Sequence, residues 1–105
     1  MSYEEEMNPL RTEIDRINAE IIGKLAERVE VALKIGEVKR SYGRPVVDMG
    51  REGRVYGQAR SIANERGIDP DGVERVFREI VRLCTEVQRE GGDEGRVPRG
   101  VWGVQ

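Results

Sequence analysis

The chain of 105 residues has no histidine, a single cysteine and few aromatic residues, only 5%. Without histidine the commonest general base and the commonest metal ligand are missing, so zinc sites and His-based triads are excluded. The lone Cys84 excludes an internal disulfide and fits a reducing compartment. No run approaches the roughly eighteen apolar residues that would span a bilayer. The first residues, Met1-Ser2-Tyr3-Glu4-Glu5-Glu6, are acidic and have no apolar core, so no signal peptide and a cytoplasmic location are expected. Charge of one sign is also missing. Eighteen Lys+Arg stand against twenty Asp+Glu, a net charge of -2, which gives no overall field toward nucleic acid or membrane. No metal or other cofactor is expected.

What is abundant is charge, at 36% of residues, a balance that suits long helices with solvated faces. Apolar residues recur at helical spacing from about Asn8 to Tyr42, at Leu10, Ile14, Ile17, Ile21, Leu25, Ala32, Ile35 and Val38. Asn8-Pro9 reads as N-cap and first helical residue, and Gly43-Arg44-Pro45 as the stop. Such a helix is roughly fifty ångströms long. It cannot bury its stripe against short partners of its own chain, and a small helical domain buries only a thin core, so a second chain is expected. Asp48 can cap a second helix running to about Asn64, with Val55, Ala59, Ile62 and Ala63 on its apolar face. Gly53 and Gly57 each weaken it by about 1 kcal/mol relative to alanine. Asp69-Pro70 then starts a third helix carrying Val73, Val76, Phe77, Ile80, Leu83, Cys84 and Val87, which fades at Gly91-Gly92.

The fold class is therefore all-α, with three helices per chain and a very long first one. Residues 1–90 form the helical domain and 91–105 a Gly-rich tail holding the only tryptophan, Trp102, beside Val101 and Val104. The tail reads either as a loose terminus or as an arm that docks on its own dimer or on a partner protein.

Arg28 and Lys39 break the apolar track of the first helix. Eleven residues apart, about three turns, they project on nearly the same side. A cation facing an interior needs a counter-charge, and Glu20, Glu27, Glu30 and Glu37 mostly fall on other faces. Either both side chains snorkel to solvent, or an anionic ligand meets them. Arg11 lies seventeen residues before Arg28, about 25 Å along the axis. Both can grip one small molecule only if one of them comes from another copy of the helix. On the second helix Asp48, Arg51 and Glu52 read as capping and surface charge when taken alone. On the third, Cys84 and Gln88 share a face. Gln88 is an amide beside an apolar track, able to serve a buried acceptor or simply to meet water. Cys84 by itself is a small core residue.

Taken in order, these residues resemble the all-α class of chorismate mutases. The resemblance runs from Leu10-Arg11 and Ile14-Asp15 through Leu25-Ala26-Glu27-Arg28 and Ile35-Gly36-Glu37-Val38-Lys39. It continues with Arg44-Pro45-Val46-Val47-Asp48, Arg51-Glu52 and Val76-Phe77-Arg78-Glu79-Ile80-Val81, and closes at Gln88. It implies an intertwined homodimer whose long first helices pack together, acting on chorismate without cofactor. It further implies that Arg28 grips a substrate carboxylate and that Arg11 reaches into the partner's site. Lys39 and Gln88 would serve the ether oxygen, Arg51 the carboxylates, and Asp48 and Glu52 the ring hydroxyl. Cys84 stands where the family often has a serine touching a carboxylate, and a thiol is a weaker donor. The implied reaction turns chorismate into prephenate for phenylalanine and tyrosine synthesis. Family members also occur fused to, or in complex with, other shikimate-route enzymes. Two alternatives remain: isochorismate pyruvate lyase, which is similar in architecture, and a non-catalytic helical dimerisation or regulatory module.

Overall fold

The computed structural model describes residues 1–91. Apart from Gly91, the expected 91–105 tail lies outside the described residues. Three helices follow in order: α1 (Tyr3–Ser41), α2 (Met49–Arg66) and α3 (Pro70–Gly91).

α1 starts earlier than the Asn8-Pro9 pair implied. Ser2 is the N-cap: its Oγ accepts from the Glu5 N–H at 3.2 Å, and the Glu5 carboxylate accepts from the Ser2 N–H at 2.7 Å. This reciprocal box satisfies two otherwise free donors, and Glu4, Glu5 and Glu6 complement the positive helix end. Pro9 sits inside the helix and removes one backbone bond near a solvated end, which the box outweighs. At the other end Gly43 takes a left-handed φ of 65°, and the Arg44 N–H reaches back to the Lys39 carbonyl at 2.8 Å. Gly67, with φ 72°, ends α2 in the same way. The Asp48 carboxylate caps α2 by accepting from the Arg51 N–H at 3.0 Å, as expected. Asp69 caps α3 through the Asp71 and Gly72 N–H groups, with Pro70 as its first residue.

α3 packs against both other helices, while α1 and α2 do not pack against each other. The α1–α3 seam holds the core: Val29 and Ala32 meet Cys84 and Val87, flanked by Leu33 and Leu83. The helices cross closely at Gly36, where a Cβ would stand 3.2 Å from Gln88 Cγ. α2 buries Ala59 and Ala63. The chain measures 62 × 36 × 15 Å. Among the described residues α3 is the only element packed against α1. Leu10, Ile14, Ile17 and Ile21 are accordingly exposed, Ile14 to 56%. Among the described residues no helix is long and apolar enough to cross a membrane.

Candidate active site

Because α1 and α2 do not touch, a gap remains between them, floored by α3. It is a cavity of about 460 Å³, within the size range of small-ligand sites. α1 contributes Arg28, Ala32, Ile35 and Lys39 to one wall. The opposite wall comes from Val46 and Asp48 of the connection and from Arg51, Glu52 and Val55 of α2. Val81, Cys84, Thr85 and Gln88 of α3 form the floor.

The two cations of α1 stand at separate places along this cavity. Arg28 Nη1 donates to Cys84 Sγ at 3.0 Å. Lys39 Nζ donates to the Val46 carbonyl at 2.6 Å and to Gln88 Oε1 at 3.5 Å. Both side chains are half-buried, so neither has snorkelled free. Among the described residues, neither they nor Arg51 forms an ion pair with a carboxylate. Gln88 is only 8% exposed, and its amide nitrogen has no hydrogen-bond partner among the described residues. Buried polar groups are paired in the great majority of cases, so an unpaired donor facing a cavity points to an acceptor that occupies it. Asp48 spends one oxygen on capping, whereas the half-buried Glu52 carboxylate has no partner among the described residues.

Arg28, Lys39, Asp48, Arg51, Glu52, Cys84 and Gln88 are thus brought together. Arg11 is not. It lies outside the cavity, bonded to Glu4 at 2.9 Å and placed over the Tyr3 ring, with half its side chain exposed. An exposed pair of this kind is weak, typically below about 1 kcal/mol. Three contributors escaped the sequence reading. Thr85, a polar residue next to Cys84 on the inner face of α3, carried a usable signal. Gly36 did too, as a small residue inside an apolar track. The Val46 carbonyl carried none, because a backbone acceptor leaves no trace in residue type.

Beyond the cavity an ionic cluster joins α2 to α3. Arg60 Nη1 meets Asp71 and Glu74, each at 2.9 Å, and Arg78 Nη2 meets Glu74 at 2.6 Å. Arg78 also lies over the Tyr56 ring, 4.3 Å from its centre. Hydrogen bonds from Arg78, then from Arg60, hold the Glu74 carboxyl below its ordinary range. Among the described residues no His/Cys/Asp/Glu grouping is arranged to hold a metal ion.

Residues 10–89, which include every cavity-lining residue, match the family described as Chorismate mutase type II. The chain belongs to that family. It is 35% identical over 87 residues to a T-protein of Enterobacter agglomerans, an alignment covering 83% of this chain and 23% of that protein. Against a bifunctional chorismate mutase/prephenate dehydratase of Aquifex aeolicus, identity is 33% over 89 residues, or 82% of this chain and 25% of the relative. It is also 27% identical over 86 residues to a chorismate mutase of Methanocaldococcus jannaschii, covering 82% of this chain and 87% of that one. The chain therefore spans about a quarter of the first two relatives and most of the third. Family membership also places Arg11, at the start of the matched segment, within the region shared with these enzymes.

Proposed function

We propose that the chain is a chorismate mutase, converting chorismate to prephenate by an intramolecular [3,3] rearrangement in phenylalanine and tyrosine synthesis. The observation that carries this reading is the convergence of Arg28, Lys39, Arg51 and the unpaired Gln88 amide on one cavity without opposing ion pairs. Such a site binds a small polyanion. It has no histidine, and its thiol is tied to a guanidinium, yet a unimolecular rearrangement requires neither nucleophile nor general base. It requires the substrate held in the compact, chair-like conformer, where reacting carbons meet. It also requires donors where negative charge grows on the breaking ether oxygen. Lys39 and Gln88, already 3.5 Å apart, are suited to share that oxygen. Arg28 suits a carboxylate through paired N–H groups, with Arg51 adding positive charge on the opposite wall.

The working unit is a homodimer in which Arg11 of one copy completes the site of the other. The exposed stripe of Leu10, Ile14, Ile17 and Ile21 supports this, as does the distance between Arg11 and the cavity of its own chain. A complex with, or fusion to, another shikimate-route enzyme is supported by the longer relatives, and a cytoplasmic location by the single unpaired thiol. The purified chain should convert chorismate to prephenate. Absence of chorismate turnover, or salicylate and pyruvate formed from isochorismate instead, would overturn the assignment. A non-catalytic module would scatter these cations to solvent, which the shared cavity argues against.

A further inference from the structure

α3 lays one stripe of side chains toward α2. Glu74, Arg78, Val81 and Thr85 follow one another at steps of four, three and four, so they share a face. Glu74 reaches Arg60 and Arg78 covers the ring of Tyr56, which turns that face toward α2. The stripe continues to Thr85, half-buried on the floor of the cavity whose α2 wall carries Arg51. A threonine inside a helix can return its hydroxyl to the carbonyl one turn back. The exposed Thr12 does so, donating to the Asn8 carbonyl at 3.1 Å. Thr85 does not: its hydroxyl forms no hydrogen bond among the described residues. A half-buried hydroxyl without a partner, on a cavity lined by unpaired cations, points to an acceptor inside the cavity.

Cys84, beside it on the floor, does not fill that role. A thiol is a weak donor, and this sulfur already accepts from Arg28 at 3.0 Å. Lys39 and Gln88 are suited to the ether oxygen, which leaves the carboxylates. Resting on the chorismate mutase reading, we infer that Thr85 is a substrate-binding residue whose hydroxyl donates to a carboxylate of the bound substrate, beside the charge of Arg51. A carboxylate has room for several donors, so the hydroxyl adds to the guanidinium and does not compete with it. That carboxylate keeps its charge throughout the rearrangement. The bond therefore holds substrate and transition state alike, and it lowers KM without raising kcat. Lys39 and Gln88 differ in this, because their oxygen gains charge as the ether bond breaks.

The test is the kinetics of Thr85→Val with chorismate, together with its thermal midpoint. Valine keeps the branched shape and removes the hydroxyl. KM should rise about tenfold while kcat stays within about twofold. Thr85→Ser, which keeps the hydroxyl, should bring KM back to within about threefold of wild type. The midpoint of Thr85→Val should not fall, because a hydroxyl without a partner contributes nothing to the fold. An unchanged KM overturns the inference while leaving the chorismate mutase reading intact. A loss confined to kcat does the same, since it moves the hydroxyl to the ether oxygen. So does a lowered midpoint, which means that the hydroxyl is paired within the fold. A wild-type chain that leaves chorismate unchanged overturns the chorismate mutase reading, and this inference with it.

Discussion

α1 presents two kinds of surface. From Leu10 to Ile21 the apolar residues follow helical spacing closely, yet Leu10, Ile14 and Ile21 are more than half exposed. From Arg28 to Lys39 the same face is interrupted by charge, yet Val29, Ala32 and Gly36 are buried against α3. The regular half is bare, while the irregular half is covered along Val29, Ala32 and Gly36, although Ile35 and Val38 stay exposed. Periodicity states which face a helix must bury, not which chain supplies the cover. The charges that spoil the pattern sit where the chain's own α3 closes a cavity, which is why the irregular half is the one we propose for the chemistry.

The sharpest way to break this comparison is to remove the charges from the covered half. Lys39→Ala or Arg28→Ala should lower kcat/KM for chorismate by about a hundred- to a thousandfold, the scale of losing one preorganised donor. Circular dichroism should show helix content kept, since both side chains stand at a cavity and neither is in the apolar core. Near-normal turnover by either variant would mean that the cavity is not the site.

The bare half is tested by complementation. Arg11→Ala should lose activity although Arg11 lines no part of the cavity of its own chain. Mixing Arg11→Ala chains with Lys39→Ala chains, then allowing subunits to exchange, should restore activity to about a quarter of wild type. Half the dimers are then hybrids, and each hybrid has one intact site. Recovery can occur only if Arg11 serves across the interface. A mixture no more active than its components would show that each chain acts alone.

Much of this was legible in residue order, and the gaps have physical causes. The start of α1 was misplaced because proline at a first turn is the commoner arrangement, whereas here Ser2 and Glu5 close a box several residues earlier. Arg28 and Lys39 were readable because they violate a pattern, and a violated pattern is visible without knowing the neighbours. The Val46 carbonyl under Lys39 was not, since it depends on how the connection after Gly43 folds back. The contact of Arg28 with Cys84 joins residues distant in sequence, and only the packing of α3 on α1 makes it. Gly53 and Gly57 face open space, so no close approach explains them.

A smaller effect separates the two faces of α3. Toward α1 it offers Cys84 and Val87, an apolar seam indifferent to acid. Toward α2 it offers Glu74, gripped by Arg60 and Arg78, beside Ala59 and Ala63. The Glu74 carboxyl is held below its ordinary value by those hydrogen bonds. A group depressed in the folded state contributes stability that is fully present above its unfolded pKa of about 4.3, and that is lost as pH falls through the lower folded value. Acid should therefore loosen α2 before α1. Amide hydrogen exchange, compared between neutral pH and the acid side of that window after correction for intrinsic rates, should show protection falling first in Tyr56–Arg66. Glu74→Gln should reproduce the loosening at neutral pH and remove most of its further dependence on acid. Equal loss in both helices would mean that α3 holds its two neighbours by the same means.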